Sequence, residues 1–162
     1  MALYAIALGS NRPHGRHGTP AEIVSAAIDT LRKEGIRVRA VSPIFPTAPV
    51  GPSIRAYANA AALIETPLDP PALLGLLKRT ERAFGRRRGQ RWGARVIDLD
   101  IVLWSGGTWH DATLVVPHVA FRERRFVLDC LVRVAADWRD PVTGLTVRHL
   151  HARLTRPRPL RR

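Results

Sequence analysis

Residues 91–103 read RWGARVIDLDIVL, and two acids stand inside what the apolar pattern makes a buried strand. Strict alternation puts Ile97, Leu99, Ile101 and Leu103 on one face and Val96, Asp98, Asp100 and Val102 on the other. The two carboxylates then point the same way, roughly 7 Å apart along the strand. Among apolar neighbours they repel and raise each other's pKa unless something positive lies between them. Arg91 and Arg95, immediately upstream, can supply that charge as ordinary salt bridges. A hard divalent cation can do the same: Mg²⁺ is typically held by one or two carboxylates plus the phosphates of a substrate. The pattern alone leaves both readings open.

The flanking segments surround this strand with alternating strands and helices. Leu3 to Leu8 reads as a buried strand, broken by Gly9-Ser10-Asn11 and a polar loop reaching Gly18. Thr19-Pro20-Ala21-Glu22 is a capping box with proline at the first helical position. The helix it opens carries a core stripe of Val24, Ala27, Ile28 and Leu31 and ends at Gly35. Ile36 to Ala40 alternates with Arg37 and Arg39, a strand with one wet face. Four prolines between Ser42 and Arg55 (Pro43, Pro46, Pro49 and Pro52) argue for a stiff loop without regular structure.

Tyr57 to Glu65 reads as the next strand, and Asp69-Pro70 opens a second helix with Leu73, Leu76, Leu77, Thr80 and Phe84 on one stripe. After the acid strand, Ser105-Gly106-Gly107 makes a hairpin turn from which Leu114 to Val116 returns. A third helix is expected over Arg125 to Ala135. This succession predicts an α+β sandwich, a central antiparallel sheet with helices packed on it. No P-loop or glycine fingerprint follows the first strand, which disfavours a parallel nucleotide-binding sheet.

The chain has 162 residues, enough for one domain with a real core. We place that domain at 1–154 and expect 155–162, with four arginines and two prolines, to be a disordered basic tail. With 26 Lys and Arg against 13 Asp and Glu, the formal charge of +13 favours anionic partners. A single cysteine, Cys130, in an apolar run cannot form an internal disulfide and fits a reducing compartment. The N-terminal apolar run is too short for a signal or a span, so a cytoplasmic protein without membrane contact is expected.

Three further clusters bear on chemistry. GRRRGQRWGAR, residues 85–95, sets Arg86, Arg87, Arg88, Arg91 and Arg95 among three glycines, the composition of a mobile phosphate-binding loop or of a solvated basic one. Glu81 falls on the apolar stripe of its helix, where a charge needs a partner; the arginines of the following loop are candidates. Val116-Pro117-His118, followed by Arg124 and Phe126, is the third. His14 and His17 have no Cys or acid near them and do not make a metal site.

From about residue 3 to about residue 154 the chain resembles the 6-hydroxymethyl-7,8-dihydropterin pyrophosphokinases. That family's Arg-x-Gly-x-Arg-x-x-Asp-x-Asp segment is matched by Arg91, Gly93, Arg95, Asp98 and Asp100. In the right order stand Gly9-Ser10-Asn11, the loop Thr47 to Pro52 with Tyr57 and Asn59 after it, and Val116-Pro117-His118 with Arg124 and Phe126. The resemblance implies a ferredoxin-like α/β sandwich and transfer of the β,γ-pyrophosphate of ATP to the pterin hydroxymethyl, releasing AMP. It implies two Mg²⁺ ions on Asp98 and Asp100, and catalytic roles for Arg88 and Arg95 as well as for the two acids. Pterin would be bound by Thr47, Pro49, Val50, Tyr57, Asn59 and Phe126. ATP would meet Glu81, Arg86, Arg88, Arg95, Ile101, His118 and Arg124, with Ile101 acting through its backbone. An arginine loop closing over the phosphates is implied as well.

The chain departs from the family at Ala94, where Pro is usual, at Val119, where an aromatic is common, and at Lys78, where a Gln stands. Its segment 85–92 is one residue shorter. A second class, a basic RNA-binding module, fits the charge but not the acids, which repel a phosphate backbone. The expected partners are therefore ATP and the pterin, with no specific nucleic acid, and the expected state is a monomer.

Overall fold

The computed structural model describes residues 1–11, 18–47, 57–85 and 96–159. Strand β1 (Ala2–Ser10) leads to helix α1 (Pro20–Lys33), then strands β2 (Arg37–Val41), β3 (Phe45–Thr47) and β4 (Tyr57–Thr66). Helix α2 (Pro70–Gly85) precedes β5 (Asp98–Trp104), a small ribbon of β6 (Trp109–His110) and β7 (Val115–Val116), and helices α3 (Arg125–Leu131) and α4 (Val147–Thr155). The main sheet is antiparallel in the order β2-β4-β1-β5, with β3 also on β4. This is the α+β sandwich that the order of elements predicted, in the ferredoxin-like arrangement that the family resemblance implied.

Local chemistry sets the helix starts. Thr19 Oγ1 accepts from Glu22 N at 3.3 Å while Glu22 Oε2 accepts from Thr19 N at 2.7 Å, so both halves of the capping box form. Asp69 Oδ1 accepts from Ala72 N at 2.9 Å at the head of α2. Gly35, at φ +85°, turns the chain out of α1 in a backbone region that side chains disfavour.

The sheet has two buried faces. Tyr4, Ile6, Leu8, Ala60, Ile64, Leu99 and Ile101 pack under α1 and α2. Ala5, Ala61, Val102 and Leu103 pack with Phe121 and with Leu128, Leu131 and Leu150 of α3 and α4. The second pair of helices thus occupies the face that an RNA-binding sandwich leaves open. No helix among the described residues is long and apolar enough to cross a membrane.

Several expectations change. The acid strand does not alternate to its end: a bulge slips the register between Ala5 and Ile6, so Leu103 pairs with Ala5 and joins Val102 in the second core, away from Leu99 and Ile101. Val96 and Ile97 lie before the strand and both enter the first core. The proline-rich segment holds a short strand after all, β3, with Pro46 opposite Ala58. Proline lacks a ladder donor but is tolerated where a strand pairs on one side only.

The turn after Trp104 forms, with Gly107 N donating to Trp104 O at 3.0 Å, but Val115–Val116 pairs with β6 and not with the acid strand. The third helix ends at Leu131, four residues short of Ala135, and gives way to turns. A fourth helix, α4, was not expected; Thr146 caps it, accepting from His149 N at 3.2 Å. It ends at Thr155, where the basic tail was expected to begin, and residues 156–159 have no regular structure.

Candidate active site

Near the end of the middle strand β1 stands Gly9, and the register places Asn59 of β4 on one side of it and Asp98 of β5 on the other. Two residues back, Ala7 lies between Ala61 and Asp100. Alternation therefore puts Tyr57, Asn59, Asp98 and Asp100 on one face, the face that α3 covers. The floor between them is almost without side chains. A Cβ on Gly9 would come within 3.2 Å of Asn59 Oδ1, so glycine lets the amide lie across the strand.

Above this floor is a cavity of about 170 Å³, walled by Tyr57, Asn59, Asp98, Asp100, Arg124, Phe126 and Cys130. Helix α3 supplies the far wall. Arg124 is its N-cap residue and Phe126 stands in its first turn, with 40% of the residue exposed. Burial pushes the Cys130 thiol up to about 11, against a hydrogen bond from Ser42, so this wall residue stays an unreactive thiol at neutral pH.

His118 sits beside Asp100. Its backbone N donates to Val102 O at 3.0 Å, and its Nδ1 accepts from Ala120 N at 3.2 Å. Burial lowers the imidazole pKa, Asp100 pulls it back up, and Arg124 lowers it further. The ring is therefore neutral near pH 7, with Nδ1 occupied as an acceptor and the proton on Nε2.

Glu81 is placed differently from the cavity residues. It reaches from α2 to the edge of β5, where Oε1 accepts from Leu99 N at 2.8 Å, and Lys78 Nζ stands 3.0 Å from the same oxygen. The sequence pointed to the following arginines as its partner. Among the described residues that partner is Lys78, one of the departures noted above. We expect Glu81→Ala to leave the Leu99 N–H buried and unpaired, costing about 1–3 kcal/mol of stability, with Glu81→Gln losing less. Urea unfolding checks this; an alanine variant as stable as the original would remove the structural role.

The structure thus gathers Tyr57, Asn59, Asp98, Asp100, Arg124 and Phe126 at one cavity, with His118 adjoining. Ile101 is different: its side chain is buried under α1 and α2, so only its backbone can meet a ligand. Thr47 pairs through its backbone with Tyr57. Pro49, Val50, Arg86, Arg88 and Arg95 lie outside the described residues. Sequence reasoning missed the part played by Gly9, whose neighbours are set by register, and the wall position of Cys130.

The two acids fit a hard divalent cation. Both are oxygen donors on one face beside an open cavity, and among the described residues no third His, Cys, Asp or Glu joins them into a closed cage. A site completed by the substrate's own phosphates has this form.

A family profile for 7,8-dihydro-6-hydroxymethylpterin-pyrophosphokinase (HPPK) matches residues 5–136. A 2-amino-4-hydroxy-6-hydroxymethyldihydropteridine pyrophosphokinase of Methylorubrum extorquens is 40% identical over 151 residues, 92% of this chain and 91% of the relative. One from Haemophilus influenzae is 37% identical over 134 residues, 82% of this chain and 81% of the relative. The HPPK-DHPS crystal structure of Plasmodium falciparum superposes with a TM-score of 0.74 at 15% identity, over 94% of this chain and 41% of that one. That similarity bears on the fold, and the sequence matches bear on the family: this chain belongs to the 7,8-dihydro-6-hydroxymethylpterin-pyrophosphokinase family.

Proposed function

We infer that the chain is an ATP-dependent pyrophosphokinase of folate biosynthesis. The hydroxymethyl oxygen of 6-hydroxymethyl-7,8-dihydropterin attacks the β-phosphorus of ATP. The bond from that phosphorus to the α-phosphate oxygen breaks, AMP leaves with the electron pair, and the hydroxyl proton passes to solvent. The observation that carries the assignment to this cavity is the row Asn59, Gly9, Asp98 across three strands, with Asp100 behind and Phe126 opposite. It sets a hydrogen-bonding amide and two carboxylates on one small floor, one end suited to a flat heterocycle and the other to a charged phosphate.

Each group has a physical task. The Asn59 amide both donates and accepts, which matches the amide-like edge of a pterin. Phe126 and Tyr57 flank the ring, and the backbone of Thr47, Pro49 and Val50 serves as a further pterin contact. Arg124, with His118 beside it, faces ATP, together with Arg86, Arg88 and Arg95, and the backbone of Ile101 lies beside the adenine. Glu81 holds the β5 edge from which that backbone reaches out. Asp98 and Asp100 hold Mg²⁺, which we take as two ions. When bound, the metal neutralises phosphate charge and polarises the attacking hydroxyl. Pyrophosphoryl transfer needs such neutralisation and alignment more than a strong base. We take the working unit to be a monomer.

The test is AMP formation by the purified chain from ATP and Mg²⁺, with and without the pterin. AMP that appears only with pterin is expected; AMP made equally without it would sink the reading. Within the pocket, Asn59→Ala should weaken pterin binding by about 1–3 kcal/mol by leaving ring polar groups unpaired. Phe126→Ala should do likewise while ATP affinity barely moves. Calorimetric titration of each ligand decides it: equal losses for pterin and ATP in both variants would place the pterin elsewhere.

A further inference from the structure

We propose that the buried Arg122–Asp140 ion pair positions Phe126, the aromatic group that α3 brings to the cavity wall. The inference rests on the pyrophosphokinase reading of that cavity and adds two positioning residues to it. Residue 140 lies beyond the stretch matched by the family profile, which ends at 136.

Local structure leaves the entry to α3 under-determined. From His118 the chain runs through successive turns, Phe121 N donating to His118 O at 3.3 Å and Glu123 N to Ala120 O at 3.2 Å. Arg124 then stands at the N-cap with no side-chain capping bond. A cap that binds no backbone N–H does little to fix how the chain enters its helix. Phe126 cannot locate itself by packing either, because 40% of it is exposed. Burial of Val127 and Leu128 seats the helix on the sheet, and a contact ahead of the cap adds to what holds its first turn in register with Asn59 and the two acids.

Arg122, two residues before the cap, does this through a two-pronged contact. Its Nε donates to Asp140 Oδ2 at 2.6 Å and its Nη2 to Asp140 Oδ1 at 2.8 Å. A planar fork on a carboxylate fixes direction as well as distance, which a lysine at the same place would not. The guanidinium also lies over the Phe121 ring, 4.8 Å from its centre, and that ring is buried in the core beneath α3.

The receiving end is rigid. The Asp140 side chain is fully buried and also accepts from Val142 N at 3.1 Å and Thr143 Oγ1 at 2.7 Å. Backbone bonds Asp140 N to Leu145 O, 2.9 Å, and Gly144 N to Asp140 O, 2.8 Å, close the loop around it. Burial pushes the carboxyl up, but Arg122, Thr143 and Val142 together bring it down to about 2, so the pair stays charged at any working pH. The loop ahead of α4 is thus a fixed post to which the cavity wall is tied.

The experiment is a double-mutant cycle on the full chain. Arg122→Met removes the fork and keeps an apolar stem over Phe121; it is made alone and together with Phe126→Ala. Steady-state AMP formation is measured at a temperature where circular dichroism shows each variant folded. Alone, Arg122→Met should raise the pterin KM about tenfold while kcat at saturation changes less than about twofold, the pattern of lost ground-state contacts. On the Phe126→Ala background the further rise should be less than about twofold, because the ring being positioned is already gone.

An unchanged KM with only a lower melting temperature overturns the proposal, and so does the same tenfold rise on both backgrounds. If Arg122→Met does not fold, Arg122→Lys, which keeps the charge and loses the fork, runs the same cycle against the same two criteria. The intact chain is measured first: if it makes no pterin-dependent AMP, the pyrophosphokinase reading fails before any variant is compared, and the inference falls with it.

Discussion

Asp98→Asn and Asp100→Asn should each lower Mg²⁺-dependent AMP formation by at least roughly 10²-fold while the chain stays folded, since groups that stabilise transferring charge act at this scale. The substitution keeps the shape of the side chain and removes one unit of charge beside the cavity. Asp98 is exposed and Asp100 half-buried, and both precede the bulge, so neither carries the packing of β5. Melting temperatures should therefore move by only a few degrees. Activity should recover partly at high Mg²⁺, because an amide oxygen remains a weak ligand for a hard cation. The opposite pattern, full specific activity with a large loss of stability, would make the acids salt-bridge partners and end the metal assignment.

That prediction was legible in the sequence because alternation is a local property. Placing Asp98 and Asp100 on one face needs only the strand period over three residues, and the bulge falls just after them. The bulge itself was not legible: Val102 and Leu103 are both apolar, and either can face either core. The capping box at Thr19 and Glu22 is equally local and formed as read. Strand β3 was hidden because its partner, Tyr57 to Asn59, lies across a long stretch of chain, while its prolines argue locally for a loop. Helix α4 was hidden for a different reason. It buries only Val147 and Leu150, too few for a stripe among arginines and histidines, although Thr146 offered a cap.

The site divides in the same way. Tyr57 and Asn59 share a face by period, whereas the use of Gly9 as a bare floor depends on register across two strand pairs. The link between Arg122 and Asp140 depends on how a turn and a distant loop pack, which no window of sequence contains.

The arginines of residues 86–95 should act chiefly on turnover. The described ends of that segment support this proposal. Gly85 closes α2, and a Cβ there would lie 3.6 Å from Val96 N, so the chain leaves and returns at nearly one point. Ser10 Oγ, at the end of the strand that carries Gly9, donates to Val96 O at 2.6 Å and ties that point to the cavity floor. Arg95 is the residue before the tie and Asp98 follows shortly after it, and we propose that the guanidinium and the acids serve the same phosphates. Charge that builds on the bridging oxygen as AMP departs is met by an arginine more strongly than the ground-state triphosphate is. We therefore expect Arg88→Ala and Arg95→Ala to reduce kcat, by up to the roughly 10³–10⁵-fold at which an arginine serves phosphoryl transfer directly. KM for ATP should rise far less, and Arg87→Ala, for which no role is assigned, should change little. Single-turnover rates at saturating ATP and pterin separate the cases. If Arg88→Ala and Arg95→Ala raise KM and leave the single-turnover rate intact, these arginines only collect nucleotide from solution, and the stabilisation of the departing phosphate must come from Arg124 and the metal site alone.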